Sequence, residues 1–555
     1  MSEHDAESLH LENLDRWHHM YKKGLLNRRE FIGVLASLAA AGALAACAPT
    51  PPTPAPSQPG PTQAAVPTAG AAKVVKDSIS TAFEQDFPTL DPHMHSSRQL
   101  INFFYQTHDN LAARDLNNLK MGPHLATSWK AIEPTIWELE LRQGVKYHNG
   151  DPFDAECVKY SFERITSPDQ KSPQAANLAP FKAAEILGPY KIRIHTKDPW
   201  PIFAERMQNF QILSPAYMKA KGDQFASLNP MGTGPFKFSE WKRDQQIVLE
   251  RNDNYWGPKP AFKQLVIRFI PDKATQIAEI LAGRLDLTRA VPIDQIDTIN
   301  KSGLAQTFTQ KVLRVFLMNF DADGATSPNP FQDKRVRQAA NYAVNIDNII
   351  KTLQVGGDRT PANLSPLHFG FDPSIPNYEY SPEKAKALLK EAGLPDGFSV
   401  EMKSASEQLM PNVRLVEQAI QSELAKVGIK MSINVVNQAP FNDMASKRQL
   451  GPMWHGSWGS YSAFDADAHY YNTLHPDGSR TAWTNREFID LVGKAHVSLD
   501  PDQRLKWYSQ AQKIVHEECP GLFLWSLHGV WAVSKTVQWK PDPDEIERYF
   551  NAKPA

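Results

Sequence analysis

Cysteine is scarce in this chain of 555 residues: Cys47, Cys157 and Cys519 are the three present. Three cysteines exclude a disulfide-built scaffold, and none sits at the Cys-x-x-Cys spacing of a metal or redox site. Cys157 and Cys519 either join in one disulfide after export or stay as two separate buried thiols, and the sequence leaves both open. An excess of either charge is also missing, since Lys+Arg number 60, Asp+Glu 61 and the net charge is −1. With no basic surplus to neutralise phosphates, no nucleic-acid partner is expected. Beyond the first fifty residues no apolar run is long enough to span a bilayer. Leu281 to Leu287, for instance, is broken by Arg284 and Asp286. Enzyme signatures are missing too. Gly456-Ser457-Trp458-Gly459 does not make a Gly-x-Ser-x-Gly elbow, and neither an HExxH motif nor a phosphate-cradling loop occurs. The expectation is therefore a protein that is not an enzyme and needs no cofactor, with a secreted hydrolase as the distant rival.

The chain does carry an address. Arg28 and Arg29 stand directly before Phe31 and an uncharged, Ala- and Leu-rich run to Ala46. The run is shorter than the ~20 residues of a comfortable membrane span, and it reads as a signal peptide. The paired arginines resemble a twin-arginine signal, which implies export in a folded state. Leu44-Ala45-Ala46-Cys47 resembles a lipobox, which makes Cys47 the candidate lipidation site. The other reading is an uncleaved anchor helix ending at an incidental cysteine. Residues 48–73 are rich in Pro and Ala and read as an extended tether, so residues 1–47 are signal and 48–73 spacer. The expected location is extracytoplasmic: periplasmic, with the protein held to a membrane by lipid.

The length that remains exceeds what one core fills, so at least two lobes are expected. Period-2 patterning predicts strands over 137–141, 191–195, 246–250 and 265–270. Helices are expected over 274–281 and from Pro382 behind a Ser381 cap to Gly393. A third is expected over 412–426, stopped by Gly428 and followed by a strand over 430–436. The body is thus read as α/β.

Five segments then carry a resemblance. Leu125-Ala126-Thr127-Ser128-Trp129 leads to Leu141-Arg142-Gln143-Gly144-Val145 and His148-Asn149-Gly150. Gly232-Thr233-Gly234-Pro235-Phe236 leads to Asn254-Tyr255-Trp256. Ala282-Gly283-Arg284-Leu285-Asp286, Asp333-Lys334-Arg335-Val336-Arg337-Gln338-Ala339 and the Ser381 helix complete the series. In this order they resemble the peptide- and nickel-binding family of ABC-transporter solute receptors, which includes oligopeptide-, dipeptide- and glutathione-binding proteins. Cys157 and Asn345 stand where that family usually has Asp.

The resemblance implies a two-lobed periplasmic-binding-protein fold with a discontinuous first lobe. Residues 74–310 would form lobe I, with an inserted subdomain at about 105–225. Residues 311–525 would form lobe II, and 526–555 would return to lobe I. Leu313 to Asn319 and Leu522 to Trp525 would be the two hinge strands. It also implies a small peptide-like solute, ABC-transporter permease subunits as partners and a monomer. Asp86, Phe87 and Pro88, ahead of Leu90-Asp91-Pro92-His93, map onto ligand-facing positions, and so do Trp458, Gly459, Ser460 and Tyr461. Ser460 stands where peptide-binding relatives have the Asp that holds an α-ammonium. A buried ammonium needs a paired negative charge, so this argues against a simple free-amine dipeptide. Trp454 and Arg480 are weaker candidates. No metal site is expected, although Asp91, His93 and His95 form a candidate ligand set for the rival reading, a receptor for a nickel or haem complex.

Overall fold

Alternation in the sequence becomes alternation of burial in the structure. Gln264–Phe269 and Lys191–Thr196 each bury every second side chain. The computed structural model describes residues 76–95, 97–326, 329–406, 410–459, 463–478 and 482–555. The signal, the tether and Cys47 therefore lie outside the described residues. The expected helices form over Lys273–Leu281, Pro382–Glu391 and Val413–Ala425. Ser381 caps its helix, accepting from the Lys384 amide, and Gly393 leaves it at a positive φ of 81°. Asn345 also caps a helix, with its side-chain oxygen taking the Asn348 amide at 3.0 Å. An Asp there would accept the same bond, which is why Asn serves.

Four strands and four helices position the site. They are β1 (Ser78–Phe83), β2 (Ala305–Phe320), β3 (Met453–Trp458) and β4 (Gly521–Ser534), and α1 (Arg98–Thr107), α2 (Ala155–Thr166), α3 (Asp467–Thr473) and α4 (Pro501–Glu518). The large sheet has 11 strands. On one side β1 pairs in parallel with Gln264–Phe269 and Leu287–Arg289. On the other, Phe398–Ala405 pairs in parallel with Ile429–Val436 and with β3. Between the two sets stand the long antiparallel strands β2 and β4. The chain is mixed α/β, as its pattern implied.

Strands β2 and β4 run well past the two apolar stretches that the sequence marks. The extra residues of β2, Gln306 to Lys311, are mostly polar and partly exposed, so hydropathy is silent about them, whereas those of β4 are largely buried; in both the backbone ladder continues. That ladder breaks register between Lys311 and Val315 and again between Val315 and Leu317. Bulges of this kind re-aim side chains.

A second sheet lies within 105–225. Its four antiparallel strands run in the order 126–133, 136–141, 191–196, 181–188 and pack against α2. Leu139, Val158, Phe162, Ile192, Ile194 and Phe203 fill a core of its own. Both described cysteines are free and buried: Cys519 lies 2.8 Å from the Tyr378 hydroxyl, and Cys157 faces the Pro152 carbonyl. Among the described residues no helix is long and apolar enough to cross a membrane.

Candidate functional site

The segment after β1 is a wall built from spent groups. Asp86 accepts the Trp241 indole N–H at 2.8 Å and the Asp244 amide at 2.9 Å, and Arg243 lies 3.3 Å away. It thereby closes a hairpin turn more than 150 residues further on. Phe87 is buried in the core between Phe83, Phe103 and Phe269, at centroid distances of 5.8, 6.0 and 5.6 Å. Pro88 alone of the three is exposed.

Asp91 is likewise committed. Arg164 of α2 grips it through two bonds, at 2.6 and 3.1 Å, and it takes the His93 amide. The His93 Nε2 meets the Gln211 carbonyl at 3.0 Å while its ring stacks on Phe210, whereas His95 leans on Phe104. The side chains of these three residues thus turn to different neighbours. Among the described residues no group of three or more His, Cys, Asp or Glu is placed to hold a metal ion.

The second wall follows β3, which pairs with β2 so that Trp458 opposes Val315 and Ser457 opposes Phe316. Trp458 is half-buried, and its indole N–H donates to the Ala468 carbonyl at 2.9 Å. Gly459 is buried, Trp454 belongs to a small core with Ala405, Phe441 and Leu450, and Ser460, Tyr461 and Arg480 lie outside the described residues.

Beside Trp458 and Gly459 stands a charged group that the motif reading missed. Arg314, on the irregular stretch of β2, donates from Nε to Glu545 Oε1 at 3.1 Å and from Nη1 to Ser457 Oγ at 3.4 Å. Burial would raise the Glu545 carboxyl, but the positive fields of Arg314, Arg98 and Arg289 bring it below its ordinary range, so it stays ionised. Arg289 also pairs with Glu84, which Lys273 holds at 2.5 Å. Glu84 is opposed in the same way: burial works against ionisation, yet Arg289 and Lys273 pull its pKa down to about 2. The sequence did hold one signal, a lone arginine inside the apolar run from Leu313 to Asn319. For Glu545 there was none, because its partner is 231 residues away.

The chain after Gly459 is clamped again from Ala463 onward. Arg114, with no side-chain exposure, is paired with Glu205, and its guanidinium lies over the Phe464 ring at 4.1 Å. Glu205 Oε2 also accepts the Phe464 amide at 3.1 Å. One residue on, Asp465 takes both ends of the Arg504 guanidinium at 2.7 and 2.9 Å. Asp467 is ionised despite burial because His496 lies 2.7 Å from it, and that contact raises the histidine above its ordinary value. Segment 458–468 is thereby fixed at both ends, by β3 on one side and by two buried ion pairs on the other.

Buried imidazoles make the fold acid-sensitive. Burial drives His93 and His148 down to about 4, and His95 and His368 down to about 3. The unfolded chain takes up these protons near 6.5. Between pH 6.5 and about 4 the unfolded state thus binds more protons than the folded one, and stability falls as pH falls. Each ring contributes up to about 1.4 kcal/mol per pH unit in that window. Glu84 adds a loss of the same sign between 4.5 and about 2. Urea unfolding at pH 7.5, 6 and 5 checks this, and equal stabilities at the three values would refute it.

Comparison with known proteins places this geometry. The family model "Bacterial extracellular solute-binding proteins, family 5 Middle" matches residues 120–481. A dipeptide-binding protein of Escherichia coli (strain K12) is 29% identical over 433 residues, which cover 72% of this chain and 80% of the relative. Heme-binding protein A of Haemophilus influenzae is 28% identical, over 75% of this chain and 80% of the relative. Among solved structures, the ABC transporter-associated periplasmic binding protein DppA of Helicobacter pylori, in complex with the peptide STSA, superposes with a TM-score of 0.75. It is 25% identical and covers 86% of this chain and 98% of its own. The fold of the present chain is therefore that of the periplasmic binding proteins.

Proposed function

We propose that this chain, which belongs to the bacterial extracellular solute-binding proteins of family 5, captures a small peptide or peptide-like solute outside the cytoplasm and hands it to an ABC importer. The observation that carries the reading is the build of segment 458–468. It leaves the centre of the large sheet beside the two long strands and is clamped at both ends, while Trp458 stays half-exposed. A receptor needs a rim whose ends are held and at which an aromatic side chain stays partly open. The relatives bear on the solute: two are described as peptide-binding or bound to a peptide, and one as heme-binding.

In this reading residues 74–310 and 526–555 form one lobe, with about 105–225 inserted, and 311–525 the other. β2 and β4 connect them, and closure on the solute is a shift of population between open and closed forms. Pro88, Trp458, Gly459, Ser460 and Tyr461 line the solute, while Asp86 and Phe87 support the wall behind them. The protein acts as a monomeric receptor, with the permease subunits as partners.

Thermal-shift screening of the purified protein against di- and tripeptides, sugars, haem and nickel chelates tests this. Stabilisation by peptides supports the reading. Stabilisation by haem or a metal chelate alone would transfer the role to the rival, and turnover of a bound peptide would make the protein an enzyme. The address reading assigns residues 1–47 to a twin-arginine lipoprotein signal, Cys47 to lipidation and 48–73 to a tether. Cys47→Ala is expected to move the protein from the membrane to the soluble fraction. Continued membrane association of that variant in fractionation would favour the anchor helix.

A further inference from the structure

We propose that Phe464 is a latch between the lobes: residues 463–468, carried by the second lobe, dock into the inserted subdomain of the first and hold the receptor closed through the chain's own groups. This rests on the lobe division given above and adds the contact that sets how often the receptor opens. The segment is anchored in the lobe it comes from. Asp465 takes both ends of the Arg504 guanidinium at 2.7 and 2.9 Å. The Phe464 carbonyl accepts the Phe369 amide at 2.8 Å, and the Phe369 carbonyl accepts the Ala466 amide at 2.9 Å. The Trp458 indole N–H closes onto the Ala468 carbonyl.

The other face of the same segment belongs to the subdomain. Ala463 and Ala468 have no exposed surface and are members of the core that Leu139, Phe162, Ile194 and Phe203 fill. Phe464 is only 6% exposed, and the Arg114 guanidinium lies 4.1 Å from the centre of its ring. The Phe464 N–H donates to Glu205 Oε2 at 3.1 Å. A single residue thus gives its carbonyl to one lobe and its N–H to the other. Arg206, next to Glu205, adds its field at Asp467.

What happens when the lobes part distinguishes a latch from a piece of either core. Arg114 and Glu205 both lie in the subdomain, and Arg114 Nη1 also donates to the Leu119 carbonyl at 2.5 Å. That pair survives opening. Only the Phe464 ring and amide and the two alanine methyls pass into water. The contact therefore stabilises the closed form alone, and it shifts population without being needed for the fold of either lobe. A ring stacked on a guanidinium and one charge-assisted hydrogen bond each move such an equilibrium by about tenfold. Because solute enters and leaves the open form, the latch slows both steps.

The test uses the full chain with spin labels on Lys182→Cys and Arg486→Cys, exposed sites on the subdomain and on the second lobe. Pulsed electron paramagnetic resonance reads the distance between them, and stopped-flow mixing with di- and tripeptides reads the binding rates. Without added peptide, the chain with native Phe464 is expected to show mainly one short distance. Phe464→Ala is expected to lower the ratio of closed to open forms at least about tenfold, and to raise the association and dissociation rates together. Phe464→Leu keeps the apolar bulk and loses the ring face, so it shifts the ratio in the same direction by about threefold or more. It decides the matter alone if Phe464→Ala does not fold. A native-Phe464 chain that is mainly open without peptide overturns the latch and leaves the peptide reading standing. So do variants with an unchanged distance distribution, even if they melt earlier, because Phe464 then serves folding only. The expected shift with no peptide bound upholds the latch and removes the peptide reading. An unchanged distribution with no peptide bound overturns both.

Discussion

Asp465→Ala lowers the free energy of unfolding by about 3–5 kcal/mol, the cost of stranding one partner of a buried ion pair. Both residues are at least nine-tenths buried, and the two bonds between them, at 2.7 and 2.9 Å, form the parallel fork of a carboxylate on a guanidinium. Arg504 also reaches the Ala495 carbonyl at 3.0 Å and the Tyr508 hydroxyl at 3.1 Å, but neither carries charge. Without Asp465 the cation stays inside with only the field of Asp467, which makes no hydrogen bond to it. The loss extends to the rim of the site, because the Asp465 carboxylate also takes the Asp467 amide at 2.9 Å. Denaturant titration of the single variant, and of the double variant Asp465→Ala/Arg504→Met, checks the argument. The double variant should recover most of the loss, since it removes the stranded charge along with its partner. A single variant within about 1 kcal/mol of wild type contradicts it.

Glu205→Ala is expected to cost about 1–3 kcal/mol through the loss of charge-assisted hydrogen bonds, and to loosen a different end of the structure. Arg114 has no side-chain exposure, and Glu205 pairs with it. The same carboxylate holds the Phe464 amide across 259 residues of sequence. Removing it takes a carboxylate from a buried guanidinium, which keeps the field of Asp544, and releases that amide. Hydrogen exchange resolves the two effects. The Phe464 amide should exchange about two orders of magnitude faster, while amides in the middle of β4 follow only the global loss. Glu205→Gln keeps an acceptor for the amide and loses the charge, so it should preserve more of the Phe464 protection than of the stability. Unchanged exchange at Phe464 in Glu205→Ala would show that another contact holds this segment. A faster solute off-rate in the variant follows if segment 458–468 is the rim that closes on the ligand.

Both predictions concern residues that sequence reading treated lightly. No local pattern in the sequence marks Asp465 or Asp467. Their roles emerge from α4 and from His496, which fold back onto them. Asp86 has partners that its own neighbourhood in the sequence does not show. Its place ahead of a Leu-Asp-Pro-His turn suggested a ligand contact, yet the carboxylate is occupied by Trp241 and Asp244 on a hairpin that no local pattern connects to it. Phe87 was legible as apolar, but whether an aromatic lines a cleft or fills a core depends on what packs around it, and here Phe83, Phe103 and Phe269 do.

What the sequence by itself determined is what a few consecutive residues can encode. The alternation of Lys191–Thr196, the Ser381 cap and the glycine at 393 each act over one strand or one helix turn, so they survive as written. The α/β class and the family resemblance follow from many such local signals in order. Tertiary structure alone decided which charges meet. Arg314 finds Glu545 because a bulge in β2 turns it toward the end of β3, and because a distant left-handed turn brings the carboxylate there. Buried charges are costly unless paired, so their pairing is strongly selected, but the selection acts through register and packing. Neither has a signature in the residues beside them.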